Sequence, residues 1–344
     1  MRRLLRFIAI LILLFAGAIG VALWRAHAWL DTPIAALDTQ QIFEVEKGAS
    51  LRSIAENLNR RGIVQEPEVW ILWARLTGRS GGLKAGEYQL MSGLTPRTLL
   101  QLLSSGQVIL HSITFIEGSR FVDIMKLLNA HEAVIHKASA LSPEELMQML
   151  SAPGVHPEGQ FFPDTYRFPR NTTDIDLLSM AHRRMTQELD KAWNGRDKNL
   201  PLATKYEALI LASVIEKETA LESERPIIAG VFVERLKRGM RLQTDPTVIY
   251  GIGESYDGNI RRVDLLRDTP YNTYTRSGLP PTPIALPGLG SLNAAVHPEL
   301  TGALFFVATG KGDGSHYFSK TLAEHDAAVK RYLQQLKQPR LNLP

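Results

Sequence analysis

The chain contains no cysteine. Disulfide scaffolds, cysteine zinc sites, iron–sulfur clusters and thiol nucleophiles are therefore excluded. HExxH and P-loop motifs are also missing, and the nine histidines are scattered without metal-ligand spacing. Acidic charge is missing from one stretch. Residues 1–25 hold Arg2, Arg3, Arg6 and Arg25 and no Asp or Glu. That stretch accounts for the whole formal charge of +4, because beyond it 35 basic residues meet 35 acidic ones. The basic balance gives no support to nucleic-acid binding. With 344 residues, 44% hydrophobic and 22% charged, the rest is ordinary globular sequence, long enough for two or three cores.

Long apolar runs are scarce as well, with one exception. Phe7 to Trp24 is an uncharged run of 18 residues, about the minimum for a helix crossing a ~30 Å hydrocarbon layer. Three arginines precede it, so the positive-inside rule places residues 1–6 in the cytoplasm and the body of the chain across the membrane. Ala26-His27-Ala28 offers the alternative of a cleaved signal peptide. The length of the run and the flanking Trp24 and Trp29 favour a retained span over residues 7–24 in contact with membrane lipid.

The body reads as α+β. Residues 42–46 alternate like a strand, Lys47-Gly48 turns the chain, and Ser50 caps a helix through Leu51, Ile54 and Leu58. A second helix over residues 66–76 and a strand at 86–90 follow. This strand–helix–helix–strand order resembles a LysM-type peptidoglycan-binding module. A related turn-and-helix pattern recurs at Phe115–Gly118 and Phe121, Ile124 and Leu128, so the LysM-like region is set at 42–130. Between the copies, Thr95-Pro96 opens another helix. A helix is expected at 142–150, and Pro153-Gly154 marks a boundary before a domain at 155–337. Gly78–Gly82 fits G-x-S-x-G but follows a helix, so it reads as a turn. Gly310–Gly314 reads as a hairpin turn.

The most informative stretch begins at Thr204, which with Glu207 forms a capping box ahead of an apolar run. Glu216 and Glu218 fall near the C-terminal end of that helix. The helix dipole and apolar neighbours raise a carboxyl pKa there, as a general acid needs. The two side chains are about 200° apart. Glu218 follows Leu211, Val214 and Ile215, the bulkier stripe, and is the better candidate. Both glutamates as solvated charges at a helix end is the competing interpretation. Downstream, Gln243, Asp245, Tyr271, Asn272 and Tyr274 interleave polar groups with tyrosines, as a carbohydrate cleft requires.

The runs ASVIEKETA (212–220), ERPIIAGVFVERLKRGMRLQTDPTVIYGIG (224–253), YNTYTRSGLPPTPIALPG (271–288) and SLNAAVHP (291–298), with FFPDTY at 161–166, strongly resemble the bacterial endolytic murein transglycosylases, the MltG or YceG-like family. The resemblance implies an inner-membrane enzyme with a periplasmic catalytic domain. It implies cleavage of the β-1,4 bond between N-acetylmuramic acid and N-acetylglucosamine in nascent glycan strands, leaving 1,6-anhydro ends. It also implies that Glu218, the second glutamate of E-K-E-T, is catalytic, that no metal or cofactor is needed, and that penicillin-binding synthases are partners. A lysozyme-type hydrolase, with Asp245 or Asp164 as second carboxylate, and a non-catalytic glycan-binding scaffold are the rivals.

Overall fold

The structure is a computed structural model and describes residues 2–337. The first element is α1 (Arg2–Leu30), a single 29-residue helix, long and apolar enough to cross a membrane by length and composition. Its apolar side chains from Leu4 to Trp24 lie exposed. It runs without a break through Ala26–Ala28, past the expected end of the span.

The body divides into two compact units. One comprises the chain up to His111 together with Arg167–Asn171; the other comprises Ser112–Tyr166 and the chain from Thr172 on. The stretch 42–130 therefore contributes to both.

In the first unit, β1 (Gln41–Val45) leads into α2 (Leu51–Arg60) and α3 (Pro67–Leu76), and β2 (Gly86–Leu90) returns antiparallel to β1 with Phe43 opposite Tyr88. Ser50 caps α2 by accepting from the N–H of Ser53. Thr95 and Thr98 form a reciprocal cap on α4 (Pro96–Ser105). Phe43, Leu58, Trp70, Tyr88, Leu99 and Leu103 fill the core. The buried Trp70 indole and Tyr88 hydroxyl donate to backbone carbonyls of Pro96 and Lys84 at 2.9 and 2.7 Å, so neither polar group is stranded.

The chain changes units within β3 (Leu110–Thr114) and again within β5 (Thr165–Pro169). The second unit then holds α5 (Phe121–Asn129), β4 (Val134–Ile135), α6 (Pro143–Met149), the short β6 (Thr172–Thr173) parallel to β4, and α7 (Asp174–Gly195). The turn before α5 copies the one before α2. Gly48 and Gly118 sit at φ +83° and +75°, a backbone region that L side chains rarely adopt. The repeat is thus real as a local turn-and-helix device, with its two copies in different units.

The remaining helices build the main core. They are α8 (Lys205–Glu218), α9 (Arg225–Lys237), α10 (Asp245–Ile252), α11 (Arg262–Leu266) and α12 (Leu289–Val296). A hairpin of β7 (Phe305–Ala308) and β8 (His316–Ser319), with the expected glycine turn between them, packs on α13 (Leu322–Lys337). Every residue of α8 from Ala208 to Ile215 is buried, because α7, α9, α10 and α12 pack around it. Such a helix has no single apolar stripe. The stripe that distinguishes Glu218 from Glu216 in the sequence is therefore not what separates them in the fold.

Candidate active site

Thr204 caps α8 by accepting from the N–H of Glu207 at 3.2 Å. The Glu207 carboxylate reaches one residue beyond a true capping box, to the N–H of Ala203 at 2.6 Å. At the other end, the two glutamates have different partners. Glu216 is buried. It accepts from the N–H of Gly288 at 2.9 Å and lies 3.4 Å from the Arg225 guanidinium. Gly288 precedes α12, so Glu216 ties the end of α8 to the start of α12. Neither glutamate is a freely solvated charge.

Glu218, the last residue of α8, is half-buried and lines a cavity of about 340 Å³. Burial pushes its carboxyl pKa up to about 7. A hydrogen bond from the Thr244 hydroxyl opposes that rise, nearby Asp245 adds to it, and Arg235 opposes it. Thr244 itself is held by a buried cluster. Its N–H donates to the Thr273 hydroxyl at 3.1 Å, and its carbonyl accepts from the Thr247 hydroxyl at 2.8 Å. Thr247 and Thr273 share a hydrogen bond of 2.9 Å. A backbone fixed in this way, in a residue 2% exposed, presents the Thr244 hydroxyl to Glu218 at little further entropic cost.

Of the residues singled out in the sequence, Glu218, Gln243, Asp245 and Tyr274 line this cavity. The Tyr274 hydroxyl donates to Asp245 at 2.6 Å. Burial, with Asp245 beside it, pushes the Tyr274 pKa far up, so the phenol stays neutral. Gln243 adopts φ +50°, strained for a residue with a Cβ, and its N–H donates to the Thr273 carbonyl at 3.2 Å.

Tyr271 and Asn272 are outside the lining. Tyr271 shares a hydrogen bond of 2.9 Å with the Thr282 hydroxyl and packs edge-on against Tyr250. Asn272 is 1% exposed. Its amide donates to the carbonyls of Asp264, Leu265 and Arg267, and its carbonyl oxygen accepts from the Tyr274 N–H. Those contacts use up the amide, so a substrate contact by Asn272 does not fit this geometry. It shapes the loop that carries Tyr274. Asp164 is exposed, outside the lining, and accepts from the N–H of Thr165 at 2.7 Å.

The sequence reading passed over Thr244, Arg235, Phe305 and His325. Thr244 stands between two residues it did select. Arg235 is buried and donates to the carbonyls of Leu304 and Leu242 at 2.7 Å each, and its guanidinium lies over the Phe305 ring. No carboxylate pairs with it among the described residues, so its charge acts on Glu218 through the cavity. A further carboxyl, Glu158, is buried and likewise raised to about 7 by burial. It accepts from the Phe121 N–H and the Tyr250 hydroxyl at 2.9 and 3.1 Å, joining α5 to α10.

A carboxyl that exchanges its proton near neutrality, beside a fixed hydroxyl donor in a polar cavity, is equipment for acid–base chemistry. The chain belongs to the YceG-like family, whose model matches residues 43–331. It is similar to the endolytic murein transglycosylase of Bacillus subtilis strain 168, with 32% identity over 306 residues and 84% of each chain covered. It is also similar to the endolytic murein transglycosylase of Streptococcus pneumoniae serotype 2 strain D39, at 28% identity over 323 residues. That match covers 84% of this chain and 58% of the relative. Among solved structures, a YceG-like protein from Listeria monocytogenes superimposes with a TM-score of 0.52 at 26% identity, covering 84% of this chain and 99% of that one.

Proposed function

We propose that this chain is an endolytic peptidoglycan lytic transglycosylase with Glu218 as its acid–base residue. The reading is supported by the named relatives and carried by one observation. The half-buried Glu218 carboxyl, raised to about 7, opens on a cavity that also holds Gln243, Asp245 and Tyr274. Protonated Glu218 donates to the leaving oxygen as the bond from C1 of N-acetylmuramic acid breaks. The C6 hydroxyl of the same sugar attacks C1, and the Glu218 carboxylate takes its proton. One carboxyl thus serves both steps, whereas double-displacement hydrolases need two. Thr244 holds Oε1 of Glu218, and Arg235 stabilises the carboxylate between the two transfers. Gln243, Asp245 and Tyr274 position the glycan.

The finer assignments belong to the same reading. The span 7–24 anchors the chain in the inner membrane with the catalytic domain, 155–337, in the periplasm. Within the stretch 42–130, the part in the first unit is LysM-like and faces glycan, an idea supported by the β1–α2–α3–β2 order. The substrate is the nascent strand, delivered where penicillin-binding synthases work. Mass spectrometry of products from uncrosslinked glycan tests the reading. An anhydro end, lighter by one water than a hydrolysed end, supports it. A reducing end favours the hydrolase, and intact strands favour a scaffold.

A further inference from the structure

His325 of α13 stands in the wall of the cavity that holds Glu218, although no sequence motif marks it. Its ring stacks on Phe305 of β7, with centroids 5.3 Å apart and planes at 23°. Phe305 in turn carries the Arg235 guanidinium at 5.2 Å. The imidazole is therefore locked in place by a hairpin and a buried cation. Its Nδ1 is buried and has no hydrogen-bond partner among the described residues. The residue as a whole is only half-buried and lies in the cavity wall, which leaves Nε2 as the ring nitrogen available to a ligand there.

These facts fix the ring's chemistry. An imidazolium carries N–H groups at both nitrogens, and a buried Nδ1–H without an acceptor is costly. Burial pulls the His325 pKa below its ordinary value; Asp326 opposes this, and Arg235 adds a smaller push in the same direction as burial. The partnerless, buried Nδ1 thus favours the neutral ring over the imidazolium. Between its two neutral forms, an orphaned buried N–H is worse tolerated than an orphaned lone pair. That places the proton on Nε2, where it can donate to a ligand in the cavity that His325 lines.

We propose that His325 is a substrate-contacting residue, its Nε2–H donating to a carbohydrate oxygen of the sugar bound beside Glu218. This rests on the glycan reading of the cavity given above. It assigns α13 a direct part in the site, beyond its packing on β7 and β8.

Three variants of the full-length chain test it: His325→Leu, His325→Asn and His325→Gln. The Gln amide nitrogen reaches the position of Nε2, whereas that of Asn reaches only the position of Nδ1. His325→Leu and His325→Asn are expected to lower kcat/KM on uncrosslinked glycan roughly 10-fold, the scale of one lost hydrogen bond. His325→Gln is expected to stay within about 3-fold of wild type, given the restored donor. Equal loss in all three, with unchanged circular dichroism, overturns the proposal, and so does wild-type activity in all three. Binding of the same strands to Glu218→Gln, with and without His325→Leu, reads the contact independently of turnover. Affinity reduced about 10-fold supports it, and unchanged affinity overturns it. Wild-type products ending in reducing sugars would contradict the lytic reading and leave the His325 comparison standing.

Discussion

Thr244 donates its hydroxyl hydrogen to Oε1 of Glu218, across 26 residues of sequence. The bond favours the ionised carboxyl, while burial of the same group favours the protonated one, and burial wins. Thr244 is thus the adjustable half of the pair.

Activity needs protonated Glu218, so kcat/KM is expected to fall as pH rises through about 7. Thr244→Val removes the donor that stabilises the carboxylate, and the basic limb moves to higher pH, by about 1 unit if one hydrogen bond is lost. Glu158 titrates in the same range, but it does not touch Thr244, so the movement belongs to Glu218. A limb unmoved in Thr244→Val, or shifted downward, would contradict this coupling.

The raised carboxyl also has a cost in stability. Folded Glu218 binds its proton more tightly than the unfolded group, whose ordinary value is 4.5. Its contribution is favourable at low pH and is lost as pH rises from about 4.5 to about 7. Glu218→Gln has no ionisation to suppress. Its Tm should equal or exceed that of the wild type at pH 8, by roughly 2–4 °C per kcal/mol, with the gap closing toward pH 5. Thermal scans of both proteins across this range are the check, and a gap that widens toward pH 5 would refute the sign.

Asp245 shares the cavity and is held by Tyr274 at 2.6 Å. In the single-acid mechanism it positions substrate. Asp245→Asn should therefore raise KM and leave cleavage detectable, and removing its charge should lower the pKa of Glu218, because Asp245 raises it. A fully inactive, folded Asp245→Asn would instead point to a second catalytic carboxylate.

Glu216 has a structural task. Glu216→Gln keeps an acceptor for Gly288 and loses the charge pairing with Arg225. Glu117, 3.7 Å from Arg225, still pairs with it, so the loss should be about 1–3 kcal/mol and not the full cost of stranding a buried ion. Denaturation midpoints should fall while cleavage persists with its pH profile unchanged. A normal midpoint with no activity would reverse the assignment.

Most helices were legible because their signals are local. Ser50, Thr95 and Ser142 each accept a hydrogen bond from an N–H three residues on, whatever lies far away. Thr173 caps α7 in the same way, yet that helix was not among the expected ones. Glu218 was legible from its place at a helix end. What separates it from Glu216 was not. That depends on Arg225, Gly288 and Thr244, brought in from later segments by packing that no period records. Asn272 shows the converse. An amide between two tyrosines reads as a sugar-binding group, yet three loop carbonyls capture it. His325 carried no signal, because only the β7–α13 packing turns it toward the cavity wall.

The central claim is that one carboxyl moves both protons. The most direct measurement is release of anhydro-ended fragments from nascent glycan by wild type and Glu218→Gln, with circular dichroism confirming the fold. The variant differs only in lacking a transferable proton, and loss of general acid–base assistance alone is worth ~10²–10⁴-fold. The account predicts a fall of at least that size with the fold intact. Near-normal anhydro-product formation by folded Glu218→Gln would contradict it.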